Sequence, residues 1–103
     1  MKIIYVTLND VGEARRIGRA LLEKGLANCV NFFPITCIYN WEGDITEEPE
    51  VVLIIKTLEG KYREIEKVIK SEIKYDNFIG QIQVDQVNSN FEGWLCKVVK
   101  SGD

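Results

Sequence analysis

An α+β fold, with helices laid on one face of a four-stranded antiparallel sheet, is what this chain predicts on three observations. Runs of β-branched and aromatic residues bounded by polar ones occur four times, two segments carry apolar residues at helical spacing, and the two kinds alternate as β-α-β-β-α-β. That order is the one of the ferredoxin-like superfold, here with a long hairpin between the second and third strands and a short C-terminal helix. With 103 residues there is room for one core and not for two, so residues 1–103 are read as a single domain.

Each element has its own justification. Lys2 to Leu8 is rich in β-branched and aromatic side chains and ends at the polar pair Asn9-Asp10, which reads as a strand. Asp10 followed by Glu13 fits a capping box, in which each carboxylate satisfies an orphan amide of a helix's first turn. Val11, Ala14, Ile17, Leu21 and Leu22 then form an apolar stripe at helical spacing, and Gly25 is placed to end the helix in a left-handed cap. Cys29 to Asn40 and Ile45 to Thr57 read as the two arms of a hairpin, turning at Trp41-Glu42-Gly43-Asp44, with Gly43 supplying a positive φ. Pro34 and Pro49 lack an amide hydrogen, so each is expected at a bulge or an unpaired edge, and the hairpin is expected to be kinked.

Tyr62, Ile65, Val68, Ile69 and Ile73 give the second helix, with Glu66 and Lys70 spaced for an i,i+4 ion pair. Phe78 to Val87 reads as the last strand, its Ile82 and Val84 on a buried face and Gln81, Gln83 and Asp85 on a polar one. Phe91 to Val99 is expected to form a terminal helix carrying Trp94 and Leu95. In Val51-Val52-Leu53-Ile54-Ile55 both parities are apolar, so this strand is hydrophobic on the face away from the helices too. Leaving that face in water costs about 25 cal/mol per Å² of apolar area, and another copy of the chain is the simplest cover.

Composition excludes several classes of function. A net charge of -3 and a pI near 5.0 are the wrong sign for a nucleic-acid binder, which needs basic surface to displace phosphate counterions. No apolar run approaches the roughly 20 residues of a membrane span, and Ile3 to Leu8 is too short for a secretory signal, so a cytoplasmic location is expected. Cys29, Cys37 and Cys96 are odd in number and form no C-x-x-C pair, which argues for reduced thiols rather than a disulfide framework or zinc ribbon.

The chain contains no histidine, and so lacks the commonest general acid/base at neutral pH and the commonest transition-metal ligand. No enzyme signature is present. Gly60-Lys61 is followed by Tyr62 and lacks the upstream glycine of a phosphate loop, so it reads as a helix start. On one straight strand Cys29 and Cys37 share a face but, at about 3.3 Å per residue, stand roughly 26 Å apart. They chelate one ion only if the strand folds at Pro34, or if copies of one cysteine converge on a symmetry axis. Tyr39 and Trp41 flank the hairpin tip as a cross-strand aromatic pair or as a contact to another subunit. Arg15, Arg16 and Arg19 read as a solvated helix face, with an anion patch as the alternative.

The segments EKGLANCVNFFPITCIYNWEGDI, EEPEVVLIIKT and FEGWL resemble the CutA divalent-ion-tolerance family, and the likeness covers nearly the whole chain. The resemblance implies a ferredoxin-like fold in a tight homotrimer, with the hairpins of neighbouring subunits packed together, similar to the architecture of PII signalling proteins. It implies a non-enzymatic role in tolerance of copper or another divalent cation, with an unidentified protein partner or a small ligand between subunits. A PII-like sensor of a nucleotide or metabolite is the alternative.

The family's His-Pro-Tyr-Glu-x-Pro-Glu stretch is matched here by Ile73-Lys74-Tyr75-Asp76-Asn77-Phe78-Ile79: Tyr75 is kept, Asp76 replaces glutamate, and Ile73 replaces the histidine. Cys29 matches a family cysteine, while Cys37 falls where serine is more usual. The candidate metal ligands are therefore Cys29, Cys37 and Asp76. The candidate residues of an intersubunit cleft are Tyr39, Trp41, Lys56, Thr57 and Tyr75.

Overall fold

In a computed structural model that describes residues 1–99, the chain runs β1 (Lys2–Leu8), α1 (Val11–Glu23), β2 (Cys29–Trp41), β3 (Asp44–Thr57), α2 (Tyr62–Glu72), β4 (Ile79–Gln83) and α3 (Ser89–Val98). The four strands form one antiparallel sheet in the order β2-β3-β1-β4. This is the α+β arrangement expected from the alternation of elements. Residues 100–103, the end of the expected single domain, lie outside the described residues.

Strand parity divides the sheet into two faces. Ile4, Val6 and Leu8 of β1, with Val51, Leu53 and Ile55 opposite them on β3, pack against Ala14, Ile17 and Leu21 of α1 and Ile65 and Ile69 of α2. The alternate residues, Tyr5, Thr7, Val52, Ile54 and Lys56, therefore belong to the second face. That face was expected to be bare, but α3 covers one end of it. The Lys56 ammonium lies 5.4 Å from the centre of the Phe91 ring, and Leu95 is fully buried.

Asp10 caps α1 by accepting the Glu13 amide at 2.8 Å, and Gly25, at φ 69°, ends it. Gly25 N donates to the Leu22 carbonyl and Leu26 N to that of Leu21, the paired bonds of a Schellman cap. The apolar stripe is narrower than expected, because Val11 and Leu22 are exposed. Gly18 is buried in their place, and a Cβ there would stand 2.9 Å from Val30 Cγ2, so the glycine sets how closely α1 approaches β2.

The hairpin lacks the bulge that an expected kink would have used. Its register runs unbroken from Cys29↔Lys56 to Trp41↔Asp44, without a bulge at either proline. Pro34 lies on the edge strand, and Pro49 lies where β3 has already passed β1, whose pairing stops at Leu8↔Val51. The rungs Pro34↔Val51 and Thr36↔Pro49 are two apart, so both prolines turn their missing amide to a side with no strand. A two-residue turn, Glu42 at φ 50° and Gly43 at φ 88°, closes the arm.

The last strand is shorter than Phe78 to Val87. It pairs only with β1, and that pairing ends at Lys2↔Gln83. Ile82 sits opposite Ile3 on the second face and is 52% exposed, not buried. Glu66 accepts the Tyr62 hydroxyl at 3.3 Å instead of pairing with Lys70, and Arg16 reaches Glu72 at 3.4 Å. Arg15 lies 5.5 Å from the Phe32 ring centre, and Arg15, Arg16 and Arg19 are all exposed, the solvated face expected of them.

Candidate functional site

The end of the second face that α3 leaves free holds a hollow of about 610 Å³. One wall is the hairpin. With the turn at Glu42-Gly43, Cys37 falls opposite Glu48 and Trp41 opposite Asp44, so Cys37, Tyr39, Trp41, Glu48 and Glu50 all stand on this face. The floor is the end of β1, at Thr7 to Asn9, and the other wall is the loop from Tyr75 to Phe78 that leads into β4.

Hydrogen bonds hold both walls. Tyr39 donates to Glu48 at 2.8 Å. Tyr75 donates to Glu13 at 2.6 Å and accepts from the Asn9 amide at 3.0 Å, while Glu13 also accepts from that amide at 2.9 Å. The capping carboxylate of α1 thus reaches Asn9 rather than Asp10 and anchors the loop as well as the helix. Asn77 Nδ2 donates to the Thr7 carbonyl, and the Phe78 amide donates to the Thr7 hydroxyl. Phe78 packs edge-on against Tyr5 at 6.0 Å. Its ring lies over Gly80, where an added Cβ would meet Phe78 Cζ at 2.5 Å.

The electrostatics are one-signed. Glu48, Glu50 and Asp76 line the hollow, and no Lys or Arg does among the described residues. The Cys37 thiol is pushed above its usual 9.0 by desolvation, then by the Glu50 charge and a hydrogen bond to Glu50, then by Glu48. The Tyr39 hydroxyl is raised from 10.0, first by its bond to Glu48 and then by desolvation. Desolvation, followed by the bond to Glu13, raises Tyr75 well above its ordinary value, against the opposing Asn9 amide.

Five of the eight candidate residues meet here: Cys37, Tyr39, Trp41, Tyr75 and Asp76. Cys29 and Lys56 face each other at the far end of the same face, Nζ 3.9 Å from Sγ, beside α3. Thr57 is fully buried and donates to the Leu26 carbonyl at 2.6 Å, so its side chain serves the fold. Among the described residues no three His, Cys, Asp or Glu side chains gather to hold a metal ion, so one chain alone offers no complete site. Sequence reasoning missed Glu48 and Glu50. The signal was the two-residue turn, which sets Glu48 opposite Cys37 once strand parity is followed outward from it.

The sheet order, the extended hairpin and the hollow at its root define a ferredoxin-like α+β protein with a ligand-sized recess on the face away from its main helices. Residues 2–98 match the model of the CutA1 divalent ion tolerance protein family, and the chain belongs to that family. It is 37% identical over 98 residues to the divalent-cation tolerance protein CutA of Thermococcus kodakarensis, covering 94% of each chain. It is also 37% identical over 101 residues to the CutA of Pyrococcus horikoshii, covering 97% of this chain and 99% of that one. A solved structure described as the periplasmic divalent cation tolerance protein CutA of Archaeoglobus fulgidus superposes with a TM-score of 0.91 at 36% identity, covering 97% of this chain and all of that one. The CutA1 structure from Thermus thermophilus gives 0.88 at 29% identity, over 97% of this chain.

Proposed function

We propose that this chain acts in divalent-cation tolerance as a non-enzymatic homotrimer that holds a cation or small ligand where the hollow meets a neighbouring subunit. The family match over residues 2–98, with relatives named for that tolerance, carries the reading. The homotrimer is supported by apolar surface that a lone chain leaves wet: Phe33, Trp41, Phe78 and Ile82 on the second face, and Ile38 and Ile45 on the arm. A PII-like role with a nucleotide ligand fits less well, since phosphates entering the hollow would meet Glu48, Glu50 and Asp76.

Without histidine the soft ligands are thiols, which suit copper(I). Cys37, among carboxylates, is better placed to attract a cation than Cys29, which faces the Lys56 ammonium. Three free cysteines and no helix long and apolar enough to cross a membrane, among the described residues, fit a reducing compartment. The cytoplasm is our proposed location for this chain, although one relative is described as periplasmic.

Competition titration against a copper(I) chelator tests the metal reading. Uptake should release protons, because the thiol must ionise to ligate. Cys37→Ser should lose that uptake and Cys29→Ser should keep it. Failure of the unmodified protein to take up copper(I) or any divalent ion would overturn the metal reading.

A further inference from the structure

We infer that Cys29 and Lys56 form a modification site, at which a peroxide joins the two side chains through a sulfur–nitrogen bond. The pair lies outside the hollow, and the inference stands apart from the metal reading.

Geometry comes first. Cys29 and Lys56 are 27 positions apart in the chain but share one rung of the β2–β3 ladder, so the backbone holds their side chains opposite each other on the second face. The Lys56 ammonium turns to the thiol, with Nζ 3.9 Å from Sγ. No carboxylate lies in ion-pair reach of Lys56 among the described residues, so none draws it away. Phe91 flanks the ammonium, its ring centre 5.4 Å off, and both Cys29 and Lys56 are half-buried.

The setting is particular to this thiol. A thiol attacks peroxide as its thiolate, and an ammonium is the charge that pairs with a thiolate. Cys37 instead stands opposite Glu48, and desolvation followed by the Glu50 and Glu48 carboxylates pushes its thiol above the usual 9.0. Cys96 is exposed on α3, away from any strand rung.

The reaction balances with one hydrogen peroxide. The Cys29 thiolate takes one peroxide oxygen, forming an S–O bond as the O–O bond breaks. The hydroxide that leaves takes a proton from the Lys56 ammonium and departs as water. Cys29 is then a sulfenic acid, oxidised by two electrons, and Lys56 is a neutral amine beside it. Sulfenic acids condense with a neighbouring nitrogen. The amine attacks sulfur, the S–O bond breaks, and the hydroxyl leaves as a second water with a proton from nitrogen. The flexible lysine stem closes the remaining gap. The product ties β2 to β3 at the open end of the hairpin and removes the charge that Phe91 flanks.

The test uses the whole chain with Cys37→Ser and Cys96→Ser, which leaves Cys29 as its single cysteine and excludes a disulfide within the chain. After treatment with hydrogen peroxide the intact mass should fall by about 2 Da, the two hydrogens lost to the new bond. Protease digestion should release two peptides joined at Cys29 and Lys56, and a thiol reductant should restore the mass. In the same background Lys56→Arg keeps a cation beside the thiol but offers a poor nucleophile. There Cys29 should stop at the sulfenic acid and be captured by dimedone. Peptide mapping of the Lys56 protein decides by itself should the arginine variant fail to fold.

A treated chain in which Cys29 stays a thiol, passes to sulfinic acid with Lys56 unmodified, or joins a second chain by a disulfide overturns the inference. The same mass loss in Lys56→Arg does so too.

Discussion

Glu13 shows how much one residue carries. Its carboxylate takes the Asn9 amide at the helix start and the Tyr75 hydroxyl from the loop, so a single side chain ties α1 to a wall of the hollow. Tyr75→Phe removes the hydroxyl that joins them and should cost about 1 kcal/mol at neutral pH, as a partly exposed hydrogen bond does. The hydroxyl's pKa is raised in the folded chain above its ordinary 10.0. The folded state therefore holds this proton more tightly than the unfolded one, and the stabilisation is complete below pH 10 and lost as pH rises beyond it. Denaturant unfolding at pH 8 and pH 11 should show the gap between parent and Tyr75→Phe narrowing at the higher pH. A gap that widened would mean the wrong sign.

The residue scale is also where the sequence was least legible. Tyr75 and Asp76 could be matched by resemblance, but nothing local says that they face Cys37 and Tyr39, because the loop and the hairpin meet only through β1 between them. Thr57 was assigned to the cleft by its place in a motif, and its hydroxyl is buried on the Leu26 carbonyl. The Phe78–Gly80 contact depends on a ring lying back across its own strand, which no spacing rule gives.

At the scale of elements, periodicity was sufficient wherever one face was buried. The start of α1 follows from its Asp10 cap, that of α2 from its apolar spacing, and the bounds of β1 from its run of β-branched and aromatic residues. Periodicity failed for Phe78 to Val87, whose alternation continues beyond the reach of the partner strand, whereas both prolines took the unpaired-edge positions their missing amides allow, without a bulge. The hairpin turn offers an element-scale prediction. Glu42 occupies the left-handed region at φ 50°, where asparagine is better tolerated, and Gly43 follows at φ 88°. Glu42→Asn should thus stabilise the arm by roughly 0.5 kcal/mol through a better type I′ turn. A higher midpoint in denaturant, with an unchanged slope, would report it. A lower midpoint would mean that Glu42 has a role at the tip beyond the turn.

The whole molecule poses the question that the parts leave. A chain measuring 46 × 27 × 21 Å extends a long arm whose Trp41, Ile38 and Ile45 are exposed, and its second face is only partly covered by α3. The expectation of a second hydrophobic face came from both parities of Val51 to Ile55, and the sheet bears it out: Val52 is fully buried outside the core cluster formed with the helices. What the sequence did not show was that α3 takes one end and leaves the other as a recess lined with acids and rings. The account therefore rests on the remaining apolar surface being covered by copies of the same chain. Native mass spectrometry of the unmodified protein, purified without added metal, tests this most directly. A single species at three times the chain's 11.8 kDa is the predicted result, and a stable, folded monomer at micromolar concentration would contradict it.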